Sequence, residues 1–256
     1  VVCGTSYRNK GVQKLLDAVI DYMPAPTDVP DIKGMDMDTE EECTRPSSDE
    51  APFAALAFKI MADPYVGKLS LFRVYSGDVK ADSTLFNPNK GAEEKIGKVF
   101  MLSGKKQIDT KMIKAGDIGA VAKLDKTKTG DTLCDTGKDI ILTGIDFPAP
   151  VLSMAVAPKA KGDEEKIVSG LTKLTDEDPT FTVTNNPETK QTLINGLGEQ
   201  HIDVLISKLN AKYGVSVNLE DPIVPYRETI RGKAKVEGKH KKQSGGHGQY
   251  GHVWIE

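Results

Sequence analysis

Apolar and polar positions change rhythm several times along the chain. Val12, Leu15, Leu16, Val19 and Ile20 fall at i, i+3, i+4, i+7 and i+8 and predict one short helix, which Pro24 and Pro26 end. A helix this short is marginal in water, so its stripe is expected to pack on something. Residues 28–50 lack any period and are rich in Asp, Glu, Pro, Ser and Thr; they read as a solvated acidic linker. From 51 to 147 apolar-rich runs (Phe53–Met61, Leu69–Tyr75, Lys95–Leu102, Ile118–Leu124) are broken by turn signals. Those signals are Asp63-Pro64, Ser76-Gly77-Asp78, Asn87-Pro88-Asn89, Ala115-Gly116-Asp117 and Thr129-Gly130-Asp131. Short strands with frequent Gly and Asp turns predict a closed antiparallel β-barrel.

Residues 148–222 alternate differently. Val151–Ala157 reads as a strand, about Asp163 to Asp176 as a helix with Ile167, Val168, Leu171 and Leu174 on one face, and Thr180–Thr184 as a strand. After an Asn-Asn-Pro turn come a strand, Gln191–Asn195, a helix, Glu199–Tyr213, with Ile202, Leu205, Ile206 and Leu209 inward, and a last strand, Val215–Leu219. The order βαββαβ is the ferredoxin-like split unit. The chain is therefore expected to be multidomain α+β, with a short connection at Phe147-Pro148-Ala149-Pro150 between two separate cores. RNA-recognition domains share this order, but Gln191-Thr192-Leu193-Ile194-Asn195 lacks the aromatics on which bases stack.

Past residue 222 a strand to about Glu237 is expected, then Lys239-His240-Lys241-Lys242, then Gln243-Ser244-Gly245-Gly246-His247-Gly248-Gln249-Tyr250-Gly251. Four glycines in nine residues predict a wide, flexible hairpin tip on a basic stem. His252–Glu256 alternates like a returning strand. Gly246-x-Gly248-x-x-Gly251 spells a dinucleotide fingerprint, yet a cationic segment precedes it and a strand follows it. A dinucleotide site needs a buried strand before and a helix after. The basic stem points to a phosphate backbone instead. Lys239, Lys241, Lys242, Gly245, Gly246, His247, Gly248, Gln249 and Tyr250 are the candidate RNA-contacting residues.

Charge sharpens this picture. The net charge of −3 over 256 residues is spread unevenly: residues 36–50 are acidic, whereas 226–256 hold seven Lys and Arg against three Glu. Cys3, Cys43 and Cys134 are odd in number and far apart, which suits a reducing compartment and no disulfide framework or zinc site. No apolar run reaches membrane-spanning length, so no membrane partner is expected. No Ser/His/Asp or Cys/His arrangement stands out. His201 reads as a boundary or surface histidine at a helix start, and Asp125, Asp131 and Asp135 as turn residues. His240, His247 and His252 match no zinc spacing. The opening Val1-Val2-Cys3 lacks a methionine, and the chain reads as a piece of a longer protein.

Several strings carry a family resemblance. Gln243 to Glu256 resembles the opening of the fourth domain of elongation factor G, the translational GTPase that drives ribosomal translocation, with His247 where that family usually has Arg. Cys3-Gly4-Thr5-Ser6-Tyr7-Arg8-Asn9-Lys10-Gly11-Val12-Gln13 resembles the last guanine-contacting loop and final helix of its GTPase domain. The residues matching Thr5 and Ser6 are usually Ser-Ala there, and their backbone meets the base. Gly67–Gly77, Ala115–Ile118 and Thr129–Leu133 resemble the second domain; Asp178-Pro179-Thr180-Phe181 and Gly196–His201 the third; Pro225–Thr229 the junction into the fourth. The resemblance implies a cytoplasmic, monomeric factor that meets the ribosome (its rRNA and proteins), tRNA and mRNA. GTP and Mg²⁺ would belong to the whole protein, whose P-loop and Asn-Lys-x-Asp lie outside this chain. The chain by itself is expected to hold no cofactor or metal, to carry no catalytic residue and to be inactive as a GTPase. A ribosome-protection factor, another ribosome-bound GTPase and a free-standing RNA-binding module are the rival readings.

Overall fold

The computed structural model describes residues 1–63, 67–104 and 106–256; Pro64 of the expected Asp63-Pro64 turn lies outside them. The chain opens with a small loop closed by two backbone bonds, Thr5 N–H to Lys10 O (2.9 Å) and Lys10 N–H to Thr5 O (3.1 Å). Helix α1 (Val12–Tyr22) follows where the apolar spacing places it. Its stripe is uncovered: Leu15, Leu16, Val19 and Ile20 are all at least half exposed. The packing that so short a helix calls for is not supplied within the described residues.

The segment 28–50 departs from expectation. It holds β1 (Ile32–Asp36) and β2 (Glu42–Arg45), which pair with each other, and β1 also pairs with β13 (Ile140–Leu142). Ile32 and Cys43 pack with Ile140 and Leu142 against Ala54, Leu56, Tyr75 and Phe86 of the barrel. Gly34 permits this approach, since a Cβ there would stand 2.6 Å from Ile140 Cγ1 and 2.8 Å from the Ile141 carbonyl oxygen. The Asp36 carboxylate accepts the N–H groups of Asp38 (2.9 Å) and Thr39 (3.1 Å) and makes the turn, while Lys33 and Glu42 pair across the strands at 2.8 Å. The acidic residues thus decorate and cap a hairpin, and no solvated connector is formed there.

The barrel is built from β3 (Ala54–Asp63), β4 (Gly67–Ser76), β6 (Thr84–Asn87), β7 (Ala92–Lys95), β8 (Val99–Ser103), β9 (Lys106–Thr110), β11 (Ile118–Ala122) and β12 (Thr132–Cys134). All neighbours are antiparallel, in the order β7-β6-β12-β3-β4-β11-β8-β9. A short pair, β5 (Val79–Lys80) with β10 (Met112–Ile113), adds Val79 and Ile113 to the core. Alternation in β4 sends Phe72 and Val74 inward and leaves Arg73 and Tyr75 half-buried outside, the Arg73 guanidinium 5.0 Å from the Tyr75 ring centre. The expected strand Lys95–Leu102 is really two, because Ile96 dives into the core with its N–H on Ser83 O (2.8 Å) before β8 begins. Asp131 and Asp135, expected as plain turn residues, hold the barrel's loops. Asp131 accepts from Asn87 Nδ2 (3.1 Å) and Lys128 N–H (2.9 Å), and Asp135 from Phe53 N–H (2.8 Å). Buried Glu94 accepts both Lys126 and Thr127 N–H groups at 2.8 Å. These carboxylates sit among donors, which is how a charged group is tolerated inside a barrel.

The ferredoxin-like unit comprises β14 (Leu152–Pro158), α2 (Glu164–Glu177), β15 (Thr182–Asn186), β16 (Gln191–Gly196), α3 (Glu199–Tyr213) and β17 (Val217–Glu220), in sheet order β15-β16-β14-β17. Every pair is antiparallel, as the split βαββαβ order requires. Its core is separate from the barrel's: Ile167, Leu171 and Leu174 of α2 meet Ile202, Leu205 and Leu209 of α3 over Phe181 and Ile194. Strands β15 and β17 start two residues later than the periodicity suggests, because Phe181 and Val215 plug the core from the preceding turns. The open sheet face carries Ser153, Thr182, Thr184 and Asn195, joined by side-chain hydrogen bonds of 2.6 to 3.4 Å, and no aromatic ring. Barrel and unit touch through the end of α2, where Glu177 Oε1 accepts Ala62 N–H and Lys212 Nζ, each at 2.6 Å.

Candidate nucleic-acid interface

The basic stem is itself a strand. β18 (Val236–Ser244) takes in Lys239 to Lys242, and β19 (His247–Ile255) returns beside it. Between them stand only Gly245 and Gly246, at φ +61° and +86°. Two successive left-handed residues make the primed turn whose twist suits a hairpin, and glycine is what permits them. The tip is thus tight and two residues long, where the glycine content predicts a wide and flexible one. Gly248 and Gly251, also expected to prevent a plain strand, lie within β19. Nothing stands within 4 Å of a Cβ added at Gly245, Gly246 or Gly248, so the backbone there is open to a close partner.

The register runs from Ser244 opposite His247 to Val236 opposite Ile255. Because side chains alternate, this divides the candidate residues. Lys239, Lys241, Gly248 and Tyr250 share one face with Glu237, His252 and Trp254. Lys242, His247 and Gln249 share the other with His240, Val253 and Ile255. The three candidate lysines and both glycines of the turn are therefore on one prong, but only part of the set can touch one ligand surface. Sequence reasoning misses His252 and Trp254 as companions of Tyr250, because it places Tyr250 in the glycine-rich tip and starts the returning strand only at His252. The three hairpin histidines do not converge: His252 Nε2 meets Glu237 Oε1 at 2.6 Å on one face, and His240 Nε2 meets Gln249 Oε1 at 3.4 Å on the other. Among the described residues Lys239, Lys241 and Lys242 form no ion pair.

The other singled-out residues lie elsewhere. Thr5 precedes a 3-10 turn, Ser6–Arg8, in the amino-terminal loop, and both Thr5 and Ser6 are exposed. Gly11 presses against this loop; a Cβ there would stand 2.8 Å from Cys3 O. His201 sits at the start of α3, half-buried. Its Nδ1 accepts Leu197 N–H (3.0 Å), so the ring proton lies on Nε2 and is donated to Asp178 Oδ2 (2.9 Å). Burial alone would raise the Asp178 carboxyl, but bonds from Thr180 and His201 outweigh it and hold it below the usual carboxylate range. His201 thereby ties the start of α3 to the end of α2 within the ferredoxin-like unit. Cys134 is buried in the barrel wall, and burial pushes its thiol up to about 11.

Comparison with known proteins follows the same divisions. Sequence-family models match residues 52–136 as elongation factor G domain 2, residues 147–221 as elongation factor G domain III and residues 222–256 as elongation factor G domain IV. A crystal structure of a protein from Thermus thermophilus is similar over 98% of this chain, with a TM-score of 0.73 and 31% identity. This chain covers 35% of that protein. No described helix is long and apolar enough to cross a membrane. With three successive domains matched in order, the chain belongs to the elongation factor G family of translation factors.

Proposed function

We propose that the chain is the ribosome-facing lever of a GTP-dependent translocation factor, with the hairpin of β18 and β19 as its RNA-contacting end. The observation that carries this reading is the hairpin itself. It is a prong with three lysines that pair with no carboxylate among the described residues and a side-chain-free turn at its tip. Bare backbone can approach a phosphate chain closely, and lysines add the sequence-independent attraction that such binding needs. The uncovered stripe of α1 agrees, since a GTPase domain would cover it, with Thr5 and Ser6 at its guanine loop and GTP and Mg²⁺ held by residues beyond this chain. The polar open face of the ferredoxin-like sheet offers bases nothing to stack on, which weighs against a free-standing RNA module.

The test uses the longer protein that carries the GTPase half, on ribosomes. Replacing Gly245-Gly246 by Ala-Ala puts Cβ atoms on two left-handed residues and into the open tip. GTP hydrolysis should persist while tRNA and mRNA movement slows by roughly tenfold or more, the loss of one charge-assisted contact. Unchanged movement would remove the hairpin tip from the working end.

A further inference from the structure

We propose that one face of the hairpin stem, apart from its tip, is a track on which a single strand of RNA lays successive bases; this rests on the reading that the prong meets RNA. Tyr250, His252 and Trp254 occupy alternate positions of β19 and project from one side. Their ring centres are 6.5 and 6.4 Å apart, with planes tilted 70° and 49° from one another. That spacing is roughly twice the about 3.4 Å advance per nucleotide of a stacked strand. Each ring therefore receives one base of an extended strand, and a duplex, whose bases remain stacked on each other, does not fit. Stacking of this kind accepts any base, because every base has a π-face.

Charge completes the track. On β18 Lys241 stands directly across from Tyr250 and Lys239 across from His252, on the same face. Lys235 Nζ lies 6.0 Å from the centre of the Trp254 ring. The one acid among the paired residues of this face, Glu237, is held by His252. A row of rings with a parallel row of cations is the arrangement by which proteins hold single strands, rings for bases and cations for phosphates. The opposite face differs in kind. Its base is Val236, Val253 and Ile255, with Gly238 fitted against Val253. β-Branched residues beside a glycine suit packing against protein, and a two-stranded ribbon needs such cover to be stable. The base of that face therefore suits a protein partner, while the aromatic face takes RNA.

Trp254 is the only tryptophan among the 256 residues, so its emission reports directly on this face. The chain is titrated at low salt with an unstructured oligouridine, with a duplex of equal length and with a polyglutamate peptide. Saturable quenching by the single strand is expected, roughly tenfold or more tighter than by the duplex, as the loss of one stacked base would give. Tyr250→Leu should weaken binding about 5- to 150-fold, while Tyr250→Phe, which keeps the ring, should restore it. Lys239→Ala with Lys241→Ala should flatten the dependence of log affinity on log salt by about 1.4, two phosphates at about 0.7 each. Equal binding by Tyr250→Leu and Tyr250→Phe, quenching by polyglutamate instead of RNA, or no saturable quenching at all would each overturn the proposal. The tip is read separately, by tRNA and mRNA movement in the longer protein, so failure of the track and failure of the tip are told apart.

Discussion

Glu177 is where barrel and ferredoxin-like unit hold each other, and replacing it should loosen that joint by an amount the geometry sets. Its side chain is 11% exposed, against 39% for its ion-pair partner Lys212. The same oxygen accepts Ala62 N–H at 2.6 Å. The bond from Ala62 crosses the joint and, with a charged acceptor, contributes about 1.5–3 kcal/mol, whereas the pair with Lys212 joins α2 to α3 inside the ferredoxin-like unit and does not span it. Glu177→Ala should therefore cost about 1.5–3 kcal/mol of joint closure. At about 1.4 kcal/mol per decade that is roughly a 10- to 150-fold rise in the open population. Glu177→Gln keeps a neutral acceptor for Ala62 and should cost about half as much. Hydrogen exchange of the Ala62 amide reads the joint directly. Exchange should accelerate most in Glu177→Ala and less in Glu177→Gln. Added salt should have little effect on the wild type, because what closes the joint is a half-buried bond to backbone. If Ala62 exchanges equally in all three proteins, Glu177 does not close the joint and the reasoning fails.

Two further outcomes follow from local geometry. Gly77 and Gly91 both have positive φ, +71° and +59°, but a Cβ at Gly77 would meet Phe53 Cα at 2.6 Å while one at Gly91 meets nothing within 4 Å. Gly91→Ala should cost about 1–2 kcal/mol from backbone strain alone, and Gly77→Ala about 1–3 kcal/mol more. Urea midpoints of the barrel's transition measure the difference, and equal midpoints would contradict the packing described. The lowered carboxyl of Asp178 sets an acid dependence of the ferredoxin-like unit. The unfolded chain takes up that proton first, near pH ~4, so the stabilisation is complete above about pH 4 and lost as pH falls through the lower folded value. Acid titrations of Asp178→Asn should show a shallower loss below about pH 4 than the wild type; identical curves would dissociate Asp178 from it.

Local period carries much of the fold into view. The βαββαβ order is legible because each helix repeats its apolar residues every three or four positions, and Ile167, Leu171, Ile202 and Leu205 are indeed core. The hairpin of β1 and β2 is not, since its apolar content is little more than Ile32 and Cys43 and its partner, β13, lies far along the chain. β6 and β7 also escape a reading by period, because Thr84, Glu93 and Lys95 look like loop residues until Glu94 is seen to cap buried amides. At the candidate interface the lysines and glycines are legible, but their grouping is not. Grouping depends on register, register on the length of the turn, and one residue more in that turn would move every side chain to the other face.

The pairing of β1 with β13 has a mechanical consequence. The strands are antiparallel, Gly34 opposite Leu142 and Asp36 opposite Ile140. The polypeptide therefore arrives at Ile32 and departs from Leu142 at the same end of the ribbon. Tension transmitted from α1 towards the ferredoxin-like unit crosses that end and bypasses the barrel wall. It peels the two strands apart one bonded pair at a time, as a zip is opened, instead of shearing all the bonds together. The clasp yields at low force, and the barrel behind it feels no tension until β1 has let go. An assembly that is pulled between its first helix and its far prong thus has a weak coupling at Gly34 and Leu142, ahead of the barrel interior and of the ferredoxin-like core.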